Sequence, residues 1–325
     1  MKGTFAIIDK ETLDSRIVAV KKYYKVYGNL VLQHYERERW AFQKLALSSE
    51  TEARRQHIVY LLEAKTLDDA YCLTLPFYPH TLLEFTKQPW PRPLALATFR
   101  DLVQGVSYLH QHGIAHCDLS LSNILMDSPP HFNDNDISNH RPLVIISDFG
   151  CAHPLVPYYQ PAKQLHGADI GTRQFKAPEH LFGSSCYTAA TDIWSLGVMY
   201  ASLLLGRLLY PSQGDLEQVG MIVKSLGRPS KQVMQQEMIN YPDTNKLWFF
   251  GHDDSDISEE EDDDDDDDDD DMVESDEEDN ESFLLADVLT KGKVSKDDQE
   301  LLSKLLTWSV LERASIQQIL NSLNG

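Results

Sequence analysis

The stretch that most restricts this chain is His116-Cys117-Asp118-Leu119-Ser120-Leu121-Ser122-Asn123, which sets Asp118 and Asn123 five residues apart. A strand-like run, Leu143-Val144-Ile145-Ile146-Ser147, then leads into Asp148-Phe149-Gly150. A carboxylate, an amide and a second carboxylate are thereby fixed in order, with an apolar strand before the last. Any fold that uses them must bring two loops to one place.

The order resembles the pattern H-R-D-L-x-x-x-N followed by D-F-G, met everywhere except at Cys117, and that resemblance implies phosphoryl transfer. Its loose transition state leaves the protein mainly positioning and charge neutralisation to supply. One carboxylate must take the proton of the attacking hydroxyl, a role that fits Asp118. A second carboxylate and an amide oxygen must hold Mg²⁺, which favours oxygen ligands and keeps waters and phosphates in its shell. Asp148 and Asn123 fit that pair of roles.

Length and composition narrow the rest. At 325 residues the chain is long enough for two packed lobes. It has no run of about 18 apolar residues, so no membrane-spanning helix is expected. Met1-Lys2-Gly3-Thr4-Phe5 leads into no signal-peptide core. The four cysteines, Cys72, Cys117, Cys151 and Cys186, form no C-x-x-C pair. A reducing intracellular setting, cytoplasm or nucleus, is expected, without a structural zinc site.

The net charge of −22 is local in origin. Residues 253–281 hold 22 of the 51 acids and no Lys or Arg, so the 29 acids outside balance the 29 bases. No basic stripe marks a nucleic-acid surface. The tract includes ten consecutive Asp, 262–271, cannot bury a core, and is expected to be a disordered insertion. It reads as a self-repelling solvated arm, as an arm that steers basic partners, or as a target for an acid-directed kinase at Ser258 and Ser275, each followed by three acids.

Along the chain, residues 1–30 alternate in strand fashion and 34–47 read as a helix. Tyr71-Cys72-Leu73-Thr74-Leu75-Pro76-Phe77 reads as a buried strand running into a Pro-broken linker. Phe99, Leu102, Val103, Val106 and Leu109 recur at helical spacing, and Gly113 ends that helix. Residues 127–142 read as a polar loop. Asp192 opens an apolar helix. Leu301, Leu302, Leu305 and Leu306 share one later helix face, and Ile316, Ile319, Leu320 and Leu323 another.

Taken in order, Val18-Ala19-Val20-Lys21, Glu38, Asp118, Asn123, Asp148-Phe149-Gly150, Ala177-Pro178-Glu179, Asp192 and Arg313 resemble the eukaryotic protein kinases. The resemblance covers nearly all of the chain outside the acidic tract. It implies an α+β, two-lobed protein kinase fold. Residues 1–76 would form the small β-rich N-lobe, and 77–325 the large, mostly helical C-lobe carrying the 253–281 insertion. It implies ATP and Mg²⁺. Lys21 would bind the α- and β-phosphates and pair with Glu38, with Glu36 as the alternative. Asp118 would be the base, and Asn123 and Asp148 the metal ligands. Adenine would lie between Ala19 and Leu125, with Leu75 as gatekeeper and Phe77 as a wall. Gly3 belongs to a truncated glycine loop, in which Ala6 stands where the third glycine belongs. The resemblance also implies that Glu179 pairs with Arg313 and that Asp192 ties down the loop around Asp118.

Gly171-Thr172-Arg173-Gln174-Phe175-Lys176 before Ala177-Pro178-Glu179 is similar to the matching stretch of the cyclin-dependent and mitogen-activated kinases. So is Leu216-Glu217-Gln218-Val219-Gly220-Met221-Ile222 running on to Leu226-Gly227-Arg228-Pro229 and Tyr241-Pro242-Asp243. The reduced glycine loop, the Pro76-Phe77 hinge and Leu181-Phe182-Gly183 after Glu179 resemble the fungal single-subunit kinases that activate cyclin-dependent kinases. That resemblance implies a monomer that phosphorylates the activation-loop threonine of a cyclin-dependent kinase and needs no cyclin. A related kinase with other substrates, or a catalytically silent scaffold of the same shape, are the alternatives. Cys117 replaces the usual Arg, Ser120 the usual Lys, and Gly167 the usual phosphorylated Thr. Between Asp148 and Gly171 the hydroxyl side chains are Tyr158 and Tyr159 alone. Activity independent of activation-loop phosphorylation is therefore expected.

Overall fold

The computed structural model describes residues 6–132, 141–156, 170–238, 241 and 284–324. Gly3, Tyr158, Tyr159, Gly167, Pro242, Asp243, Ser258, Ser275 and the acidic tract 253–281 lie outside them.

The N-terminal part is built on one antiparallel sheet in the order β1-β2-β4-β3. Its strands are β1 (Ile7–Leu13), β2 (Arg16–Tyr24), β3 (Glu63–Thr66) and β4 (Ala70–Pro76). Alternation in β2 sends Val18 and Val20 into a small cluster with Ala70 and Cys72 of β4. Its other face carries Ala19, Lys21 and Tyr23, set by register opposite Leu75, Leu73 and Tyr71. Leu75 thus stands directly across from Ala19.

The expected strand pattern over 1–30 stops at Tyr24, and the expected helix begins earlier than 34. A 3₁₀ turn (Lys25–Tyr27) and Gly28, at φ 78°, redirect the chain into α1 (Asn29–Leu45). Gly28 takes a backbone angle that L residues avoid. The early start is masked in sequence because the first two helical residues, Asn29 and Leu30, are exposed. Val31, Tyr35, Glu38, Phe42 and Leu45 then form the buried face at three- and four-residue intervals. Ala46, left-handed at φ 45°, ends the helix before residue 47. A short α2 (Glu50–Arg55) follows, capped by the Ser49 hydroxyl.

The rest of the described chain is mostly helical. α3 (Arg92–Gln111) starts with Pro in its first turn and is followed by Gly113 at φ 71°. Three short strands, β5 (His80–Thr81), β7 (Ile124–Met126) and β8 (Val144–Ile146), make a second sheet. β6 (Ile114–Ala115) pairs with β9 (His153–Pro154). After the short α4 (Pro178–Leu181) comes α5 (Ala189–Leu205), apolar on almost every side and buried from Thr191 to Leu204. Phe99 of α3 stacks on Tyr200 of α5 with ring centres 4.4 Å apart. α6 (Asp215–Leu226), α7 (Lys231–Gln236), α8 (Leu285–Lys291), α9 (Lys296–Leu305) and α10 (Ile316–Asn324) complete it. Asp298 of α9 accepts from Arg92 and from the Tyr200 hydroxyl at 2.7 Å, joining α3, α5 and α9. Among the described residues no helix is long and apolar enough to cross a membrane.

Candidate active site

The loop between β6 and β7 is rooted on α5. Asp192, fully buried, accepts the amide N–H of His116 and of Cys117, both at 2.9 Å, and His110 at 2.9 Å. Burial opposes its ionisation, but His110 and the loop amides outweigh burial and hold the carboxyl below its usual range. His116 Nδ1 accepts the Asp118 N–H at 3.2 Å, so its Nε2 proton goes to the Ser147 carbonyl at 3.0 Å. One ring thereby ties the Asp118 loop to the strand end before Asp148. Cys117 at φ 64° and Asp148 at φ 67° are both left-handed, the kind of backbone that persists where its surroundings enforce it.

The carboxylate of Asp118 is held from both sides. Oδ1 accepts the Thr172 amide at 2.6 Å and the Thr172 hydroxyl at 2.7 Å, and Oδ2 accepts Asn123 Nδ2 at 2.9 Å. The same Nδ2 donates to the Asp118 carbonyl at 2.8 Å. Burial first, then the charge of Asp148, pushes the Asp118 carboxyl above its usual range. Gly171 is left-handed at φ 88°, and a Cβ there would lie 2.7 Å from the Cys117 carbonyl oxygen. Only glycine lets the chain pass so close to this loop. A small recess of about 10 Å³ beside Asp118 is lined by Thr172, Lys176, His180 and Tyr187.

Lys21, 5% exposed, links the sheet to the other two elements of the site. Its ammonium meets Glu38 Oε2 at 2.7 Å and Asp148 Oδ1 at 2.8 Å. Burial works against the charge, but Asp148 and Glu38 outweigh it and hold the ammonium pKa well above its ordinary value. Asp148 shows the reverse balance: burial opposes ionisation, and Lys21 with the Gly150 N–H holds the carboxyl below its usual range. The α1 partner of Lys21 is Glu38; Glu36 is exposed.

The donor set fits Mg²⁺. Asn123 commits its amide nitrogen to Asp118, which turns its amide oxygen to other partners. Asp148 engages Lys21 and Gly150 through Oδ1, and its side chain is 40% exposed. Asn123 and Asp148 are brought together by Ser147, whose N–H and hydroxyl both donate to the Asn123 backbone carbonyl, at 2.9 and 2.8 Å. Two hard oxygens side by side are what an ion completing its shell with phosphate and water requires. Among the described residues no group of three His, Cys, Asp or Glu could hold a metal by itself.

The remaining sequence candidates fall nearby. Leu75 is buried opposite Ala19. Phe77 follows β4, half-buried, with Lys10 Nζ 4.5 Å from its ring centre. Leu125 lies half-buried in the other sheet, on β7. Ser120 is fully buried, and its hydroxyl bonds that of Ser122 at 2.9 Å.

Sequence reasoning missed Tyr23, His34 and Thr172. The Tyr23 hydroxyl donates to Glu38 Oε2, and His34 Nδ1 lies 2.7 Å from the Gly150 carbonyl. A signal for the first two existed: Tyr23 is two residues from Lys21 on one strand face, and His34 four from Glu38 on one helix face. For Thr172, 54 residues from Asp118, local pattern carried none.

A family model for the protein kinase domain matches residues 2–323. The chain is 30% identical over 198 residues to Cyclin-dependent kinase 20 of Homo sapiens, covering 60% of this chain and 52% of the relative. It is 32% identical over 189 residues to the protein kinase gsk3 of Schizosaccharomyces pombe, covering 56% and 45%. It is 28% identical over 243 residues to Cyclin-dependent kinase 11B of Mus musculus, covering 71% and 28%. The chain thus spans about half or less of these relatives' lengths.

Proposed function

Because the chain belongs to the protein kinase family, we propose that it transfers the γ-phosphate of ATP to a protein serine or threonine. In this reading residues 1–76 act as the N-lobe and 77–325 as the C-lobe, with ATP in the cleft between them. The observation that carries it is the joining of Lys21, Glu38 and Asp148 by ion pairs, while Asp118 and Asn123 share hydrogen bonds in the adjoining loop. Asp118 takes the proton of the acceptor hydroxyl. Lys21, oriented by Glu38, holds the α- and β-phosphates. Ala19, Leu75, Phe77 and Leu125 surround the adenine. Asn123 and Asp148 hold Mg²⁺, which when bound neutralises charge on the phosphates.

The proposed acceptor is the activation-loop threonine of a cyclin-dependent kinase, and the enzyme acts as a monomer inside the cell. Support comes from the sequence likeness to single-subunit kinases with that task. The loss of both the receptor Arg, at Cys117, and the usual acceptor Thr, at Gly167, supports activity without phosphorylation of its own loop.

The test is transfer from labelled ATP·Mg²⁺ to an unphosphorylated cyclin-dependent kinase, beside the same acceptor with its activation-loop threonine replaced by alanine. Label on the first acceptor alone is expected. Label on both would overturn the acceptor assignment. Transfer to neither, nor to generic protein acceptors, would overturn the enzymatic reading.

A further inference from the structure

We propose that His34 is a positioning residue which, with Tyr23, locks α1 onto the Asp148 segment from within the chain. The inference rests on reading the cleft as a phosphoryl-transfer site.

His34, Glu38 and Phe42 stand at successive four-residue steps on one face of α1. Each grips a different feature. Glu38 holds Lys21 at 2.7 Å. Phe42 sets its ring edge-on to Phe149, with centres 5.3 Å apart at 90°. His34, 3% exposed, reaches the Gly150 carbonyl at 2.7 Å. A carbonyl only accepts, so Nδ1 carries the proton.

Gly150 is what makes this grip consequential. Its N–H donates to Asp148 Oδ1 at 3.2 Å while its carbonyl takes the His34 proton. One residue therefore connects the helix to the carboxylate proposed to hold the metal. A Cβ on Gly150 would sit 3.3 Å from His34 Nδ1 and 3.2 Å from Asp148 Oδ1, so the bare backbone permits both approaches.

Tyr23 secures α1 from the sheet side. Fully buried on β2, it donates its hydroxyl to the same Glu38 oxygen that Lys21 grips. Its ring meets Tyr35 of α1 edge-on at 5.8 Å, and Tyr35 stacks on Tyr71 of β4 at 4.8 Å. The aromatic ladder runs from strand to helix to strand. A helix held by His34, Phe42 and this ladder needs no outside protein to bring Glu38 to Lys21.

The test compares His34→Leu, His34→Asn and His34→Gln. An Asn amide nitrogen lies as many bonds from Cα as Nδ1 does, and the Gln nitrogen lies one bond further. His34→Leu and His34→Gln should lower kcat about five- to tenfold, the worth of one buried hydrogen bond. The KM for the protein acceptor should not change, and His34→Asn should restore kcat. Tyr23→Phe should lower kcat about fivefold on the same basis. Hydrogen exchange over residues 29–36 and 148–152 should rise in the Leu variant and return to the wild-type level in the Asn variant.

Equal kcat in all three His34 variants, at the wild-type level or equally reduced, would overturn the inference, since packing alone ignores where the donor sits. If the wild-type enzyme transfers no phosphate, the functional reading fails and hydrogen exchange alone judges the brace. Unchanged exchange in the Leu variant would then overturn it.

Discussion

Two buried ion pairs in this molecule differ in how completely they are closed. Arg313 meets Glu179 through two bonds, at 2.9 and 3.1 Å, and also donates to the carbonyls of Ala190 and Thr307. Both Glu179 oxygens are taken, and the guanidinium lies over the Trp194 ring. Lys21 instead divides its ammonium between Glu38 and Asp148. Each pair leaves one buried atom without a hydrogen-bond partner, Arg313 Nε and Glu38 Oε1, but the Asp148 side chain is 40% exposed whereas Arg313 and Glu179 are enclosed. The first pair fastens the segment around Glu179 to the helical part. The second is open to solvent on its Asp148 side. A closed bidentate pair can only hold structure, whereas an open one keeps charge in reserve for a ligand.

The sharpest way to break this contrast is Arg313→Met. It leaves Glu179 as an unpaired buried carboxylate and should cost about 3–5 kcal/mol of stability. The denaturant midpoint checks it, and nucleotide affinity of the folded fraction should not change. Lys21→Met should do the opposite. Phosphate transfer should fall about 10²- to 10³-fold with loss of a preorganised charge. Its midpoint should drop less than that of Arg313→Met, because Asp148 can hydrate and Glu38 keeps the Tyr23 hydroxyl. Equal losses of stability in the two variants would erase the distinction.

A smaller effect lies on β9. His153, 3% exposed, stacks on Tyr187 with ring centres 4.0 Å apart. Burial, reinforced by the Arg37 charge, lowers its pKa from 6.5 to about 4. The unfolded chain therefore binds this proton at higher pH than the native protein does. Stability from His153 is present above pH 6.5 and is lost as pH falls toward about 4. His153→Phe keeps a ring on Tyr187 and removes the titration. Its stability should fall less steeply over that window, by up to about 1.4 kcal/mol per pH unit. Parallel curves for the two proteins would contradict the assignment.

The parts of this site that were legible in sequence share a physical reason. Asp118 and Asn123 stand five residues apart in one loop, and Asp148 directly follows an apolar strand, places where local geometry decides what neighbours what. Lys21 was legible because it ends an apolar β run. Glu38 was separable from Glu36 only by knowing which face of α1 is buried. The start of α1 at Asn29 was hidden by an exposed first turn, and the end of β2 at Tyr24 by aromatic residues that continue the strand pattern. The His34–Gly150 contact spans 116 residues and follows only from the packing of α1 on the Asp148 segment. Ser120 reads in sequence as a missing cation, while the fold buries it against Ser122.

The most direct measurement is single-turnover transfer from ATP·Mg²⁺ by wild type and Asp118→Asn, with nucleotide affinity measured on both. An Asn oxygen at position 118 can still accept the Thr172 amide and hydroxyl, while its NH₂ faces the Asn123 NH₂ and forfeits that one bond, so the loop keeps its Thr172 anchor and loses the proposed base. Transfer slowed about 10²- to 10⁴-fold with nucleotide affinity unchanged is the predicted result. Transfer at the wild-type rate in Asp118→Asn would contradict the account at its centre.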